Sequence, residues 1–246
     1  MNFSKPPIVE AVVDIECDFA PNYEPNNYAD AGFEAFSADY PVKKIQFSEE
    51  FQFIAKDGAP LAHQSSRKIQ AIQFRSSDQK QLIQFRLQGF AFNRLAPYDR
   101  LDAYYPEIQK SWNQFVAIAS PIRVRAIHLR YINRILVPTE NGKVELAEYF
   151  VNPPQLPAGA DLVFGSFLYQ YSAASQTAGT VANVVLTTQE PESKVLPVIL
   201  DIGTTARKDG DVANWGWIRD NIEALRQLKN SIFRNTLTDK CRHLFQ

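Results

Sequence analysis

His128 stands in the run Ile122-Arg123-Val124-Arg125-Ala126-Ile127-His128-Leu129-Arg130-Tyr131-Ile132-Asn133-Arg134, where it shares parity with Arg130 and Arg134. An imidazole in that setting could serve as a general base if a carboxylate oriented it and a nucleophile stood within hydrogen-bond reach. Asp14 and Glu16, in an alternating run near the start, are the carboxylates the sequence offers. The plainer reading of His128 is preferred, because a polar group on a half-covered sheet needs a partner whether or not it does chemistry.

A wider polar set surrounds it. Gln73 and Arg75 in one run, and Gln84, Arg86 and Gln88 in the next, alternate with apolar neighbours. With His128, Arg130 and Arg134 they are expected to project from one side of a sheet and line a groove for a ligand or partner. The arginine fork suits planar anionic groups, and glutamine both donates and accepts. Glu10, Asp14, Glu16 and Asp18 have the parity to share that side. The competing reading is therefore a set of cross-strand ion pairs, each worth ~0.2–1 kcal/mol.

Other chemistry is poorly provided for. There is no Gly-rich phosphate loop ending in Lys-Ser or Lys-Thr, no Gly-x-Gly-x-x-Gly after a strand, no Gly-x-Ser-x-Gly and no His-Glu-x-x-His, which weakens the case for those enzyme classes. The histidines are His63, His128 and His243, and the cysteines Cys17 and Cys241. Cys241-x-His243 alone lacks the further ligands of a structural zinc site. No cofactor, metal or catalytic residue is expected, and the balance is against an enzyme.

Bulk properties agree. A chain of 246 residues, 45% apolar and 12% aromatic, can bury a large core. A formal charge of -1 gives no long-range field to gather nucleic acid or anionic lipid, so nucleic-acid binding stands only as a distant alternative. Two cysteines far apart read as free thiols of a cytosolic protein. The opening Met1-Asn2-Phe3-Ser4-Lys5-Pro6-Pro7 does not resemble a signal peptide, and no run of about 18 apolar residues occurs. The expectation is a cytoplasmic protein with no membrane span.

The elements that must position these groups follow from periodicity. Ile8–Phe19 alternates as a strand, with Val9, Ala11, Val13, Ile15, Cys17 and Phe19 on one side. Asn26 or Asn27 is expected to cap a helix carrying Tyr28, Phe33, Phe36 and Tyr40 and ended by Pro41. Short strands follow at Ile45–Phe47 and Phe51–Ala55, with a turn at Lys56-Asp57-Gly58. Arg67–Arg75 and Gln81–Phe92 read as a hairpin joined by Ser76–Lys80. Asp99 is expected to cap a helix whose Leu101, Tyr104, Tyr105, Ile108, Trp112, Phe115, Val116 and Ala119 form one stripe, kinked at Pro106. The second half repeats the order: a strand Ile122–Val137, a helical piece Val144–Phe150, and a Pro-rich loop Asn152–Pro157. Strands are then expected at Leu162–Ala173, Thr180–Thr188 and Val195–Thr204, followed by a helix Trp215–Arg234 and a last helix from a Thr238 cap through Phe245.

Pro7–Ile15 is echoed by Pro121–Leu129, so the chain reads as a duplicated strand-helix-strands-helix unit, residues 1–119 and 120–246, within one domain. The expected fold is α+β, one curved antiparallel sheet with long helices on one face. That order is similar to the saddle of the TATA-binding protein and to helix-grip folds.

Three stretches carry a further likeness: Pro6–Val12, Leu129–Ile135, and Leu225–Phe233 with Leu237-Thr238-Asp239. They resemble an uncharacterised bacterial family of about this length, distributed sporadically, without an established activity. Such a distribution implies horizontally exchanged genes, those of defence or toxin-neutralising systems among them. The resemblance assigns no residue a role.

The function expected is that of a non-enzymatic cytosolic binding protein engaging a protein partner or a second copy of itself. The alternatives are a helix-grip ligand binder or enzyme with a pocket near His128, and a nucleic-acid-binding saddle.

Overall fold

A computed structural model describes residues 3–54, 62–157, 162, 164–175 and 179–246, with residues 49–54 and 62–67 described as backbone alone. The protein is α+β. Its strands are β1 (Ile8–Asp18), β2 (Val42–Ile54), β3 (Ala62–Arg75), β4 (Gln81–Arg86), β5 (Gly89–Leu95), β6 (Arg123–Pro138), β7 (Leu168–Ala174), β8 (Thr180–Thr188) and β9 (Val195–Gly210). They form one antiparallel sheet of nine strands in the order β2-β3-β4-β5-β1-β6-β9-β8-β7. Helices α1 (Ala29–Phe36), α2 (Leu101–Ala119), α3 (Trp215–Thr236) and α4 (Asp239–His243) complete it. Among the described residues no helix is long and apolar enough to cross a membrane.

The alternation in β1 sets the layering. Ala11, Val13, Ile15 and Cys17 are buried, whereas Glu10, Asp14 and Glu16 are half-buried on the other side. The buried side meets Phe36 of α1, the Ile108-Trp112-Phe115 stripe of α2 and Ile218, Ile222 and Leu225 of α3 in one core. Phe85, Phe90 and Trp112 all lie edge-on or tilted against Phe115, an arrangement favoured by the aromatic quadrupole. A second core gathers Phe150, Leu186, Leu200, Phe233, Leu237 and Cys241 beneath the far end of α3 and α4. Both cysteines are free and buried, and burial pushes each thiol up to about 12.

The two middle strands, β1 and β6, pair from Ile8↔Asn133 to Asp18↔Arg123. This register sets Asp14 opposite His128 and Val12 opposite Arg130.

Several expected boundaries differ. Asn26 and Asn27 lie inside a 3-10 turn, Pro25–Tyr28, and Tyr28 takes the cap position of α1. Pro25 in the first position has its φ preset and starts the turn early. Ile45–Phe47 and Phe51–Ile54 belong to a single strand, because Ser48, Glu49 and Glu50 keep pairing with Lys68, Arg67 and Ser66. Ala55 and the turn at Lys56-Asp57-Gly58 lie outside the described residues. Gln81–Phe92 is two strands, β4 and β5, folded back at Leu87-Gln88. Asp99 does not cap α2: Arg100 holds that position, and the Asp99 backbone N–H donates to the Tyr104 hydroxyl at 3.3 Å. Pro106 lies within the unbroken span of α2. β7 begins at Leu168 rather than Leu162, and β9 runs on to Gly210. Thr238 does cap the last helix, its side chain accepting from the Cys241 backbone N–H.

Candidate functional site

The side of the sheet opposite the helices is a groove of about 1100 Å³. Seven of the eight polar residues singled out from the sequence line it: Gln73, Arg75, Gln84, Arg86, Gln88, His128 and Arg130. Gln88 arrives from the β4–β5 turn rather than from a strand. Arg134 falls outside, where it holds Gln189 at 3.0 Å and Glu192 at 2.5 Å. Leu87 sits in the same turn and is exposed.

A relay of amides crosses the first strands. Gln73 Nε2 donates to Gln46 Oε1 and to Gln84 Oε1, each at 3.0 Å. Gln84 Nε2 donates to Asn93 Oδ1 at 2.8 Å, and Asn93 Nδ2 to Glu10 Oε1 at 2.6 Å. Gln73, Gln84 and Asn93 each use both ends of the amide, so each orients the next. Arg75 joins from the side, donating to Gln73 Oε1 at 2.7 Å, while its buried Nε has no partner among the described residues.

Toward the middle strands the groove becomes ionic. Arg86 pairs with Asp14, and burial draws the Arg86 guanidinium below its ordinary range. Arg130 grips Asp201 with Nε at 2.9 Å and Nη2 at 2.5 Å, a two-point contact that raises its basicity. His128 lies between Thr205 Oγ1, 2.9 Å from Nδ1, and Glu16 Oε2, 3.4 Å from Nε2. Burial lowers its pKa below the usual histidine value, with Glu16 opposing, so the imidazole is neutral at pH 7. Asp18 stands apart, held by Arg123 at 2.5 Å and Arg125 at 3.3 Å. The Arg207 guanidinium lines the groove without a partner among the described residues. Thus Glu10, Asp14, Glu16 and Asp201 are balanced by Arg75, Arg86, Arg130 and Arg207.

The row Thr205, His128, Glu16 has the members of a nucleophile, base and orienting acid. Its nucleophile candidate is poorly served by the backbone around it. Thr205 is laddered to His128 on one side and to Val181 on the other, so the backbone N–H groups that would stabilise an oxyanion are spent within the sheet. Among the described residues no helix residue lines the groove, and they form no enclosure between helix and sheet of the kind expected near His128. Among the described residues every α-helix packs on the opposite side.

Asn93, Asp201, Thr205 and Arg207 lie on this face and were not singled out from the sequence. Each continues the alternation of its own strand, which was the available signal. Lys229 was missed too: it falls four residues after Leu225 and four before Phe233, a cation on the buried stripe of α3.

Comparison with protein-family models, with curated proteins and with solved structures finds no match. The three stretches that carry the bacterial-family resemblance do not meet in the groove. Pro7 and Ile8, Tyr131 and Asn133, and Arg226, Lys229 and Phe233 line a second cleft on the helix side.

Proposed function

We propose that this is a non-enzymatic binding protein whose helix-free sheet face receives a segment of a protein partner. One observation carries the reading: a half-buried groove of about 1100 Å³ whose polar groups are held in place by a continuous cross-strand network. A preorganised surface binds without first ordering its own side chains. Its equal count of acids and bases suits a protein surface of mixed charge and opposes a polyanion, whose binding rests on an excess of Lys and Arg. The catalytic reading of His128 is disfavoured by the spent backbone donors around Thr205.

The strand order supports treating the chain as two related halves, as in the TATA-binding-protein saddle. β1 and β6 each open a half and meet in the middle, β5 and β9 each flank them, and α2 and α3 follow.

The test removes both members of a pair, so that no half-buried charge is orphaned. Tagged protein carrying Arg86→Ala with Asp14→Ala, or Arg130→Ala with Asp201→Ala, is compared in affinity capture from host lysate with wild type and with Asp220→Ala on the exposed side of α3. A protein retained by wild type and Asp220→Ala and lost from both paired variants is the expected result. A captured set that ignores the groove variants defeats the reading.

A further inference from the structure

Between the start of α2 and the middle of α3, on the side away from the groove, lies a cleft of about 890 Å³. Its floor is Tyr131 of β6, and Tyr98, Tyr104 and Phe233 wall it. The anomaly there is Lys229. It is only 8% exposed, yet among the described residues its ammonium meets no carboxylate and no hydrogen-bond acceptor. Its contacts are rings: Nζ is 3.9 Å from the Tyr131 centroid and 6.0 Å from that of Phe233. A ring face attracts a cation but does not replace the three acceptors an ammonium has in water.

The neighbours add positive charge rather than neutralising it. Arg94 lines the cleft with its Nε buried and unpartnered among the described residues, while its guanidinium lies 5.5 Å from the Tyr104 ring. Arg226 is already engaged, by Asp102 at 2.9 and 3.1 Å and by Glu223 at 3.0 Å. Among the described residues Asp99 is the one carboxylate lining the cleft, against Arg94, Arg100, Arg226, Lys229 and Arg234.

We propose that this cleft is a binding site for a small organic anion, whose phosphate or carboxylate is taken by Lys229 and Arg94 and whose apolar or aromatic body lies against Tyr131, Tyr104 and Phe233. The volume suits a small molecule, and a few convergent polar groups on aromatic walls are the usual make-up of such sites. The anion would supply the oxygens that Lys229 lacks, and Arg94 would meet it through the outer nitrogens of its guanidinium, of which Nη2 makes a long contact of 3.4 Å with the Pro97 carbonyl. The site is independent of the groove on the opposite face and stands whether or not that groove binds a protein.

Phenyl phosphate and benzoate serve as probes, with phenol as the uncharged control, in titration calorimetry at pH 7. Saturable binding of at least one anion is expected. It should be weakened at least about tenfold by Lys229→Met or Arg94→Met, the scale of one lost charge-assisted hydrogen bond. It should survive Lys208→Ala at the far end of β9. Should either variant fail to fold, the wild type answers alone: reductive methylation of Lys229, followed by mass spectrometry, should slow when the binding anion is present. Two results would overturn the site: neither anion saturating the protein at millimolar concentration, or binding that leaves both the variants' affinity and the methylation rate unchanged.

Discussion

Lys229 shows how a single residue can cost stability where it sits. Burial first, and Arg226 second, pull its pKa from 10.5 to about 8. Arg94 of β5, Tyr131 of β6, Tyr98 and Arg100 ahead of α2, and Arg234 of α3 also face the cleft, and the Asp99 carboxylate there lies 3.8 Å from Arg100 and makes no ion pair with Lys229. Below about pH 8 the lysine is charged in both folded and unfolded chains, and the cost of burying that charge is fully present. Between about 8 and 10.5 the unfolded chain binds a proton that the folded chain does not, so stability rises with pH; above 10.5 the cost is gone. The interval corresponds to about 3 kcal/mol, offset by a cation–π contribution of about 0.5–2 kcal/mol from Tyr131. Lys229→Met should therefore stabilise the protein by about 1–3 kcal/mol at pH 7, with the gain fading as pH approaches 10.5. Urea unfolding of the two proteins across that range measures it; a variant less stable at pH 7 contradicts the sign.

At the scale of elements, the β4–β5 hairpin was hidden and the long periodic elements were not. Gln81–Phe92 alternates so regularly that it reads as one strand, and Leu87-Gln88 contains none of the residues that favour tight turns. The signal was Gly89. Its φ is +146°, and a Cβ there would stand 2.0 Å from the Ile15 carbonyl oxygen. The turn is also fastened to both neighbours, Cys17 N–H donating to the Gln88 carbonyl at 2.8 Å and Leu87 N–H to the Gln70 carbonyl at 3.0 Å. Gly89→Ala should cost at least about 2 kcal/mol in denaturant unfolding, from backbone strain and displacement of β1; an unchanged midpoint would show that the turn relaxes freely. By contrast α2, β6 and α3 were legible because each carries its period over many residues, and Thr238 because capping is local chemistry. The polar face was legible for the same reason, since parity alone puts Arg86 and His128 on one side. Arg134 escaped because parity fixes a side of the sheet but not a position along it. The partners of the arginines depend on strand neighbours far apart in sequence, Asp201 of β9 opposite β6 above all, and no local pattern specifies those.

For the whole molecule the question is whether residues before and after Ser120 are separable. The main core argues against it, since Val13, Ile72 and Phe115 share one cluster with Ile127, Ala206 and Ile222. The backbone agrees, because β1 and β6 are paired along the whole of β1. Separating the halves would open that ladder and expose both sides of the cluster at once, an opening far costlier than fraying at an edge strand such as β7. Trp112 is placed to report on it: fully buried, it belongs to α2, and its indole N–H donates to the carbonyl of Val212, ahead of α3, at 3.0 Å. If the two halves unfold together, the change in tryptophan fluorescence and the loss of far-ultraviolet circular dichroism will share one midpoint in urea. If they first come apart, the fluorescence will move at lower urea while most of the helix and strand signal persists. The second core, built almost wholly from the later half with Phe3 packed against it, is where such a residual signal would come from. The expected outcome is coincident midpoints, because α2 and α3 bury their stripes in one core with β1 and β6, so opening the β1–β6 ladder exposes that whole core to water at once.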